Sequence, residues 1–465
     1  FASVVSVASS AINIAGVTTV IGVTDGALPA TQLNVSDFTV VASALDGSID
    51  NSFYTVMPKE NIAEIDLTDA SIRIRKTFTV NIADNELTSV VTADTNETFE
   101  PFDVERYQLV RSDGTIEVLT SDKFEFTNGN TQLQIRNLGT DNTAATLVAT
   151  LKKLKPKSKI KLKNRVTSIV VDKSSLSSSG IGSTTLDDGL TYGNYPFGTR
   201  VQDERISLNT PDIIRVHGIY ESINTSDASA PTIQLSTITG PTGKTSDLII
   251  GEQFVGQTSG AIGIVAARDT DSTIQFIAKN NINFAVGEIV SFSESKINAV
   301  AANVIVNSID ISPGYTFDNG QNTSFYDYGF LTRKNNTKAP VRKLKIYFET
   351  GYYQSTDDGD FTTIASYDTF DYSKDVPFVN GIRNTDLIDI RPRTTDYTVS
   401  EGSRSPLEFN GRTFTGSGNS AANILASNES IVTDFSFYLG RIDRVYLTKG
   451  GTMQVKYGTP SEKPQ

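Results

Sequence analysis

The chain contains no cysteine and no tryptophan, and it has only one histidine, His217, and two methionines among 465 residues. Without cysteine there is no disulfide framework, no thiolate nucleophile and no cysteine-ligated metal site. A single imidazole excludes sites that need two histidines and leaves one possible base for a Ser–His–Asp triad. The G-x-S-x-G motif of a strand–helix nucleophile turn is also missing. We therefore predict that the protein is not an enzyme and that it uses no cofactor and no metal.

An excess of basic residues is missing as well, because the formal net charge is −12. Nucleic-acid binding draws most of its affinity from a basic surface, so we expect no nucleic-acid partner. Charge is absent from Phe1–Thr24, but serine, threonine and asparagine interrupt this stretch before it reaches the length of about 20 apolar residues that a membrane helix needs. We expect paired β-strands there and no membrane span.

Apolar residues repeat with the period of a strand and rarely with that of a helix. Five of them share one parity between residues 72 and 82, and shorter runs alternate at Leu133–Ile135, Leu344–Phe348 and Phe435–Leu439. The best helical candidate is the short segment Ser420–Ala426. Asn-Gly and Asp-Gly turns, such as Asn380-Gly381, separate the runs and supply the positive φ of tight hairpins. The fold class predicted is all-β, with several β-sandwich-like domains in series and little helix.

Serine-, glycine- and proline-rich stretches indicate where these domains meet. We predict β domains at 1–95 and 96–172, a third at 173–318, and a fourth at 319–465, with Ser174–Thr185 as a linker or flexible loop. The first domain is expected to continue upstream and the last downstream. The third contains an internal repeat, because Leu248–Glu252 and Phe284–Glu288 lie 36 residues apart in the same apolar–Gly–Glu pattern. Two copies are too few for a solenoid.

A basic run lies in the second domain. Lys157, Lys159, Lys161 and Lys163 fall on one parity, and Ile160 and Leu162 fall on the other. This pattern predicts a strand with a solvated cationic face and a buried apolar face. The lysines are candidates for contact with an acidic or phosphate-bearing partner, and the alternative is a solvated face that protects an edge strand.

Several other charged residues have a structural interpretation and a chemical one. Asp357, Asp358 and Asp360 resemble a Ca²⁺ turn but lack the spacing and the bidentate glutamate of a calcium loop, which favours a plain acidic turn. His217 is expected on the half-exposed face of a strand. Alternating charges predict structural ion pairs that fix strand register. The residues of these predicted pairs are Asp386, Asp389, Arg391, Arg393, Arg441 and Asp443.

The segment Tyr315–Pro460 resembles a known family. Its phrases FDNGQ, YDYG, DLIDIRPR, SPLEFNGR and YLGRIDRVYLTKGG are similar to those of large tail and baseplate-region structural proteins of contractile-tailed bacteriophages, especially phages of marine cyanobacteria. The resemblance implies a location in the virion tail, a multi-domain β architecture and association with other tail components. It implies no catalytic residues.

Two functions remain open on this basis. The first is a tail, baseplate or fibre-connecting component that acts by protein–protein assembly with other tail or baseplate proteins, with a homotrimer as the expected oligomer. The alternative is a receptor-binding fibre adhesin that recognises host surface polysaccharide, and a glycan hydrolase is the least favoured reading. Tyrosine is enriched at interfaces, so four tyrosines join the lysine strand as candidate interface residues. These tyrosines are Tyr326, Tyr328, Tyr352 and Tyr353.

Overall fold

The computed structural model describes residues 53–140, 142–176, 188–414 and 431–461. It also describes residues 424–426, 429 and 463–464, and the backbone of four short strands before residue 53. Regular structure in these residues is almost entirely β, and no α-helix occurs among them, which confirms the all-β prediction. No helical segment in the described part of the chain is long and apolar enough to span a membrane. Within Phe1–Thr24, only the backbone pairing of Ile12–Ile14 with Val17–Thr19 is described. The predicted linker lies mostly outside the described residues.

The chain forms two compact units. The first comprises 1–161, 353–391 and 416–465, and the second comprises 162–352 and 392–415. This organisation differs from the four consecutive domains predicted from sequence. The boundary predicted near residue 95 falls inside one sheet, because strand Ile62–Ala83 pairs with Ala144–Leu154. Composition marks flexible stretches, whereas the units are defined by pairing between distant strands.

Fourteen strands come first among the described residues of the first unit. They are β1 (Ile12–Ile14), β2 (Val17–Thr19), β3 (Ala44–Leu45), β4 (Ser48–Ile49), β5 (Tyr54–Val56), β6 (Ile62–Ala83), β7 (Glu86–Leu87), β8 (Val91–Thr92), β9 (Glu97–Phe99), β10 (Tyr107–Arg111), β11 (Ile116–Glu117), β12 (Phe124–Thr127), β13 (Gln132–Ile135) and β14 (Ala144–Leu154).

The next fifteen strands found in the described part of the chain form the second unit. They are β15 (Lys161–Val171), β16 (Lys173–Ser174), β17 (Thr191–Tyr192), β18 (Arg205–Pro211), β19 (Ile213–Ser222), β20 (Thr232–Ser236), β21 (Gln253–Gly256), β22 (Ile262–Thr270), β23 (Thr273–Ala278), β24 (Ile289–Phe292), β25 (Asn298–Ile305), β26 (Ser308–Asp310), β27 (Tyr315–Asp318), β28 (Tyr328–Arg333) and β29 (Leu344–Tyr353).

The remaining strands belong to the first unit. They are β30 (Phe378–Val379), β31 (Ile382–Arg383), β32 (Leu387–Asp389), β33 (Ile424–Leu425), β34 (Val432–Phe437), β35 (Arg444–Leu447) and β36 (Met453–Lys456). Short 3-10 helices lie at Ser121–Lys123, Thr245–Asp247, Ser312–Gly314, Ile364–Tyr367, Asn384–Asp386 and Phe409–Gly411. The predicted helix Ser420–Ala426 is wrong where it is described, because Ile424–Leu425 pairs with β6 instead.

The long strand β6 organises the first unit. It pairs with β14 over its C-terminal half, in the sheet order β11-β10-β14-β6-β33. Over its N-terminal half it pairs with β34, on a branch of the same sheet. The alternating side chains Ile72, Ile74, Val80 and Ile82 are buried, as the period of two predicted. They face a second sheet, β12-β13-β8, through Leu133 and its neighbours in one apolar core.

Tight turns form where glycine chemistry predicted them. Asn380 and Gly381 both have positive φ, of 49° and 79°, and they join β30 to β31 as a two-residue hairpin loop.

The second unit combines open sheets with a closed barrel. One sheet has the order β15-β29-β19-β26, and another has the order β18-β28-β27. Between β19 and β26 the chain forms a six-stranded barrel, β20-β23-β22-β21-β24-β25, with its own apolar core. The sequence predicted β-sandwich-like domains, so the closed barrel is an addition to that prediction.

The 36-residue repeat forms the two halves of this barrel. Strands β21 and β24 pair antiparallel about Val255 and Ser291, which are themselves 36 residues apart. The antiparallel pairing therefore places the two repeat copies about a local twofold axis. In one half β21 pairs with β22 and β22 with β23, and in the other half β24 pairs with β25 and β25 with β20.

The repeated glutamates bind the turn of the opposite copy. The Glu288 carboxylate accepts hydrogen bonds from the backbone N–H groups of Thr258 (3.0 Å), Ser259 (2.9 Å) and Ala285 (2.7 Å), and from the Ser259 hydroxyl (2.8 Å). Burial raises the pKa of Glu288, but the hydrogen bonds from Ser259, Ala285 and Thr258 outweigh that effect, so the pKa lies below its ordinary value.

Glu252 repeats this arrangement at the twofold-related position. Its carboxylate accepts the N–H groups of Ile249 (2.7 Å), Glu294 (3.1 Å) and Ser295 (2.9 Å), and the Ser295 hydroxyl (3.0 Å). Each of these donors lies 36 residues from its counterpart around Glu288. The two copies of the repeat therefore keep the same spacing because the glutamate of each copy binds the turn of the other.

Candidate functional sites

The basic run and the acidic turn are partners of each other. Lys153 Nζ lies 2.6 Å from Asp360 Oδ1, and Lys157 Nζ lies 2.6 Å from Asp358 Oδ2. Lys159 Nζ lies 4.0 Å from Asp357 Oδ1. We call these six residues the lysine–aspartate cluster. The lysines and the aspartates are each visible in the sequence, but their pairing is not, because about 200 residues separate them and no local pattern indicates such a contact.

Backbone groups fix the acidic turn against the lysine segment. The Asp357 carboxylate accepts the N–H of Ile160 at 2.7 Å and that of Gly359 at 2.9 Å. The Asp360 carboxylate accepts the N–H of Lys157 at 2.8 Å. A side chain at position 359 would place its Cβ 2.6 Å from the Cα of Lys159, so this close approach requires glycine.

The orientation predicted for the lysine run is wrong. Lys159 and Lys161 are 1% exposed, whereas Ile160 is 67% exposed. The segment before Lys161 is not regular strand, and the acidic turn covers the lysine side. Aromatic rings contribute too: Lys161 Nζ lies 4.8 Å from the centre of the Tyr367 ring and donates to the Tyr367 hydroxyl at 3.2 Å. Lys159 and Lys161 are thus internal groups and not a face for a partner.

Three of the four candidate interface tyrosines are also internal. Tyr326, Tyr328 and Tyr353 are buried, and Tyr352 is half-buried. The Tyr353 hydroxyl bonds to the Thr362 hydroxyl at 2.8 Å. Of the predicted interface lysines, Lys157 is exposed, and Lys163 Nζ lies 3.2 Å from the Glu349 carboxylate. Composition alone could not separate these buried tyrosines from surface ones.

The charged residues of the DLIDIRPR phrase have several kinds of partner. Arg391 Nη2 lies 2.7 Å from Asp389 Oδ2, and both side chains are 0% exposed. Asp386 Oδ1 accepts the backbone N–H of Ile62 at 3.0 Å. Arg393, in the second unit, donates to the carbonyl oxygens of Pro211 (3.2 Å) and Gly351 (3.3 Å).

The other predicted ion pair lies nearer to solvent. Arg441 Nε lies 2.7 Å from Asp443 Oδ1, with side chains 41% and 29% exposed. The two pairs therefore share one residue chemistry and one sequence spacing but differ in burial.

His217 lies in a charged cluster of the second unit. The residue as a whole is half-buried, as predicted, but its side chain is only 5% exposed and lies deeper than expected. Two irregularities in the pairing of β19 with β29 break the alternation on which that prediction rested. Nε2 donates to the carbonyl oxygen of Arg165 at 3.0 Å, and Nδ1 accepts from Lys279 Nζ at 3.4 Å.

Cations outnumber carboxylates around this histidine. Glu349 Oε2 lies 3.7 Å from His217 Nε2, and the same carboxylate is within 3.2 Å of Lys163 and 2.9 Å of Arg215. Burial lowers the pKa of His217 to about 4, and the charges of Lys279 and Arg215 act in the same direction. The imidazole is therefore neutral at pH 7 and buried for packing and hydrogen bonding.

We expect this histidine to make stability depend on pH. Unfolded histidine binds a proton near pH 6.5, whereas folded His217 stays neutral down to about pH 4. Its contribution to stability is therefore present above pH 6.5 and is lost as the pH falls to about 4, by about 3 kcal/mol in total. Denaturant unfolding of wild type and His217→Gln between pH 4 and 8 should give curves that converge toward low pH. Parallel curves would contradict the burial of a neutral imidazole.

The C-terminal hairpin presents an uncovered apolar face. Strands β35 and β36 pair with each other, and all four residues of each strand are exposed. Directly opposite residues share a face. One face carries Val445, Leu447, Met453 and Val455, and the other carries Arg444, Tyr446, Gln454 and Lys456. The apolar face is open to solvent, with Met453 78% exposed.

Comparison of the chain with protein-family models, with curated proteins and with solved structures finds no match.

Proposed function

We propose that this chain is a structural component of a phage tail that acts by assembling with neighbouring β subunits. The observation that carries the proposal is the uncovered apolar face of the C-terminal hairpin. A two-stranded hairpin is marginally stable by itself in water. Burying a valine, leucine or methionine side chain contributes about 1.5–3 kcal/mol, so a subunit that covers this face stabilises both the hairpin and the complex.

The charge of the hairpin indicates what covers it. Residues 438–457 contain four basic residues and one acidic residue, Asp443, in a chain with a net charge of −12. The rest of the chain is therefore acidic, and it complements the basic hairpin electrostatically. We assign the partner surface to a second copy of this chain.

The tail location rests on the resemblance of Tyr315–Pro460 to tail and baseplate-region proteins. The hairpin lies inside that segment, and its first strand, β35, is part of the phrase YLGRIDRVYLTKGG. Exposed β-hairpins with one apolar face are suited to edge-to-edge and face-to-face contacts between repeated subunits.

Purified particles of the phage that encodes the chain provide the test. We expect mass spectrometry of washed particles to detect the protein at a fixed copy number, and a density map to show its hairpin in contact with a neighbouring subunit. Presence in the infected-cell lysate but absence from washed particles would overturn the proposal.

Self-association through the hairpin is separately testable. We expect the chain to form oligomers in sedimentation velocity, and Leu447→Asp to weaken this association at least about tenfold, because the variant buries a charge in an apolar contact. Gln454→Asp adds the same charge on the opposite face and serves as the matched control. A monomeric wild-type chain, or equal effects of the two variants, would contradict the assignment.

A further inference from the structure

The ammonium group of Lys159 differs from the other cations of the lysine–aspartate cluster. Its Nζ is buried and makes no hydrogen bond within the part of the chain that the structure describes. Its ion-pair partner is Asp357, with Oδ1 at 4.0 Å, and the Tyr353 ring centre lies at 5.6 Å. A buried, unbonded ammonium is costly unless something compensates for it.

The surroundings of Lys159 make its ammonium easier to deprotonate than that of a solvated lysine. Desolvation lowers its pKa, and the attraction of Asp357, Asp360 and Asp358 offsets only part of this effect. A neutral amine is the nucleophilic form of lysine. This environment differs from that of Lys157, which is exposed, paired with Asp358 and has a raised pKa.

The carboxyl group of Asp357 is held next to this amine. The N–H groups of Ile160 and Gly359 donate to its two oxygens at 2.7 and 2.9 Å, so both oxygens are fixed by backbone donors. Two backbone donors of this kind also stabilise the negative charge that develops on oxygen when a nucleophile adds to a carboxyl carbon. The site thus combines a desolvated amine, an adjacent carboxyl group and donors for the intermediate.

We propose that Lys159 and Asp357 become joined by an isopeptide bond. One proton passes from the Lys159 ammonium to the Asp357 carboxylate, and the neutral Nζ then adds to Cγ of the protonated carboxyl group. A C–N bond forms, the C–OH bond breaks, and the hydroxyl group leaves as water with a second proton from Nζ, so no oxidant, reductant or other reactant is required. The product is an amide that is neutral and suited to burial.

The position of the bond gives it a structural consequence. The chain leaves the first unit after Lys161 and returns to it at Tyr353. An amide between residues 159 and 357 would close this excursion covalently at its base. The crosslink would persist in denaturant, unlike the ion pairs beside it. This inference does not depend on the proposed tail function.

The intact mass of the full-length chain is the first readout. We expect denatured wild type to be lighter than its sequence by one water, and proteolysis to give a branched peptide that contains Lys159 and Asp357. Lys159→Arg and Asp357→Ala should restore the full mass, and Lys157→Arg, the matched control, should keep the loss. Unmodified linear peptides at both positions in folded wild-type protein would overturn the proposal.

Dehydration at Asp358-Gly359 to a cyclic imide gives the same loss of mass, and the variants distinguish the two products. A cyclic imide would survive Lys159→Arg, would leave no branched peptide, and would overturn the crosslink.

Discussion

Replacing Glu288 with glutamine is expected to lower the free energy of unfolding by about 3 kcal/mol. The carboxylate accepts four hydrogen bonds, from the backbone N–H groups of Thr258, Ser259 and Ala285 and from the Ser259 hydroxyl. Both carboxylate oxygens therefore face hydrogen-bond donors. A glutamine side chain fits the same space but replaces one acceptor oxygen with an NH₂ group that faces donors. Leaving buried donors unsatisfied costs about 1–3 kcal/mol each, and bonds to a charged acceptor are stronger than neutral ones.

The internal symmetry of the barrel supplies a matched test. Glu252→Gln should have an effect of similar size, because its carboxylate binds the turn at Glu294 and Ser295 in the same way. Asp271→Asn removes an exposed carboxylate of the same barrel and should have little effect. Denaturant unfolding followed by circular dichroism measures all three, since the chain has no tryptophan to report by fluorescence. Effects confined to one glutamate would contradict the reciprocal arrangement.

The second large effect is expected from Asp389→Asn. This change leaves the Arg391 guanidinium buried without its carboxylate, and breaking a buried pair in this way costs about 3–5 kcal/mol. Asp389 Oδ1 also accepts the backbone N–H of Arg391 at 3.0 Å, and the amide oxygen of asparagine can keep this bond, so the expected loss comes from the guanidinium pair. We expect a lower denaturant midpoint and a lower melting temperature for the variant.

The exposed pair of the same chemistry is the control for this experiment. Asp443→Asn removes the carboxylate that faces Arg441, with the same spacing of two residues, and should leave the unfolding free energy unchanged. If the two variants unfold alike, then burial of the Asp389–Arg391 pair does not determine its contribution.

Residue alternation was sufficient to predict the fold class and much of the core. Ile72, Ile74 and Leu344 are buried where period-two patterning placed them, because one face of each strand packs on a second layer. The turn at Asn380-Gly381 was likewise predictable from glycine chemistry. These features depend on residues within a few positions of each other.

The remaining features depend on contacts between distant segments. Lys159 was expected in solvent, and it is buried because an acidic turn almost 200 residues later covers it. The side chain of His217 lies deeper than expected, because irregular pairing of its strand turned it inward. The repeat at Glu252 and Glu288 was visible in the sequence, but closure of the barrel was not. The first barrel strand, β20, pairs with the last, β25, and no local pattern predicts a pairing between strands so far apart in the chain.

That order of strands brings the two ends of the barrel together. β20 enters beside β25, with Thr232 opposite Ile305, and the flanking strands β19 and β26 pair with each other at Ser222 and Ser308. The polypeptide thus steps out of a sheet, completes a closed module and re-enters the sheet at the neighbouring strand. Such a module is a cassette: its gain, loss or exchange during evolution would leave the backbone pairing of β19 with β26 and β29 intact and would change only side-chain contacts such as that of Lys279 with His217.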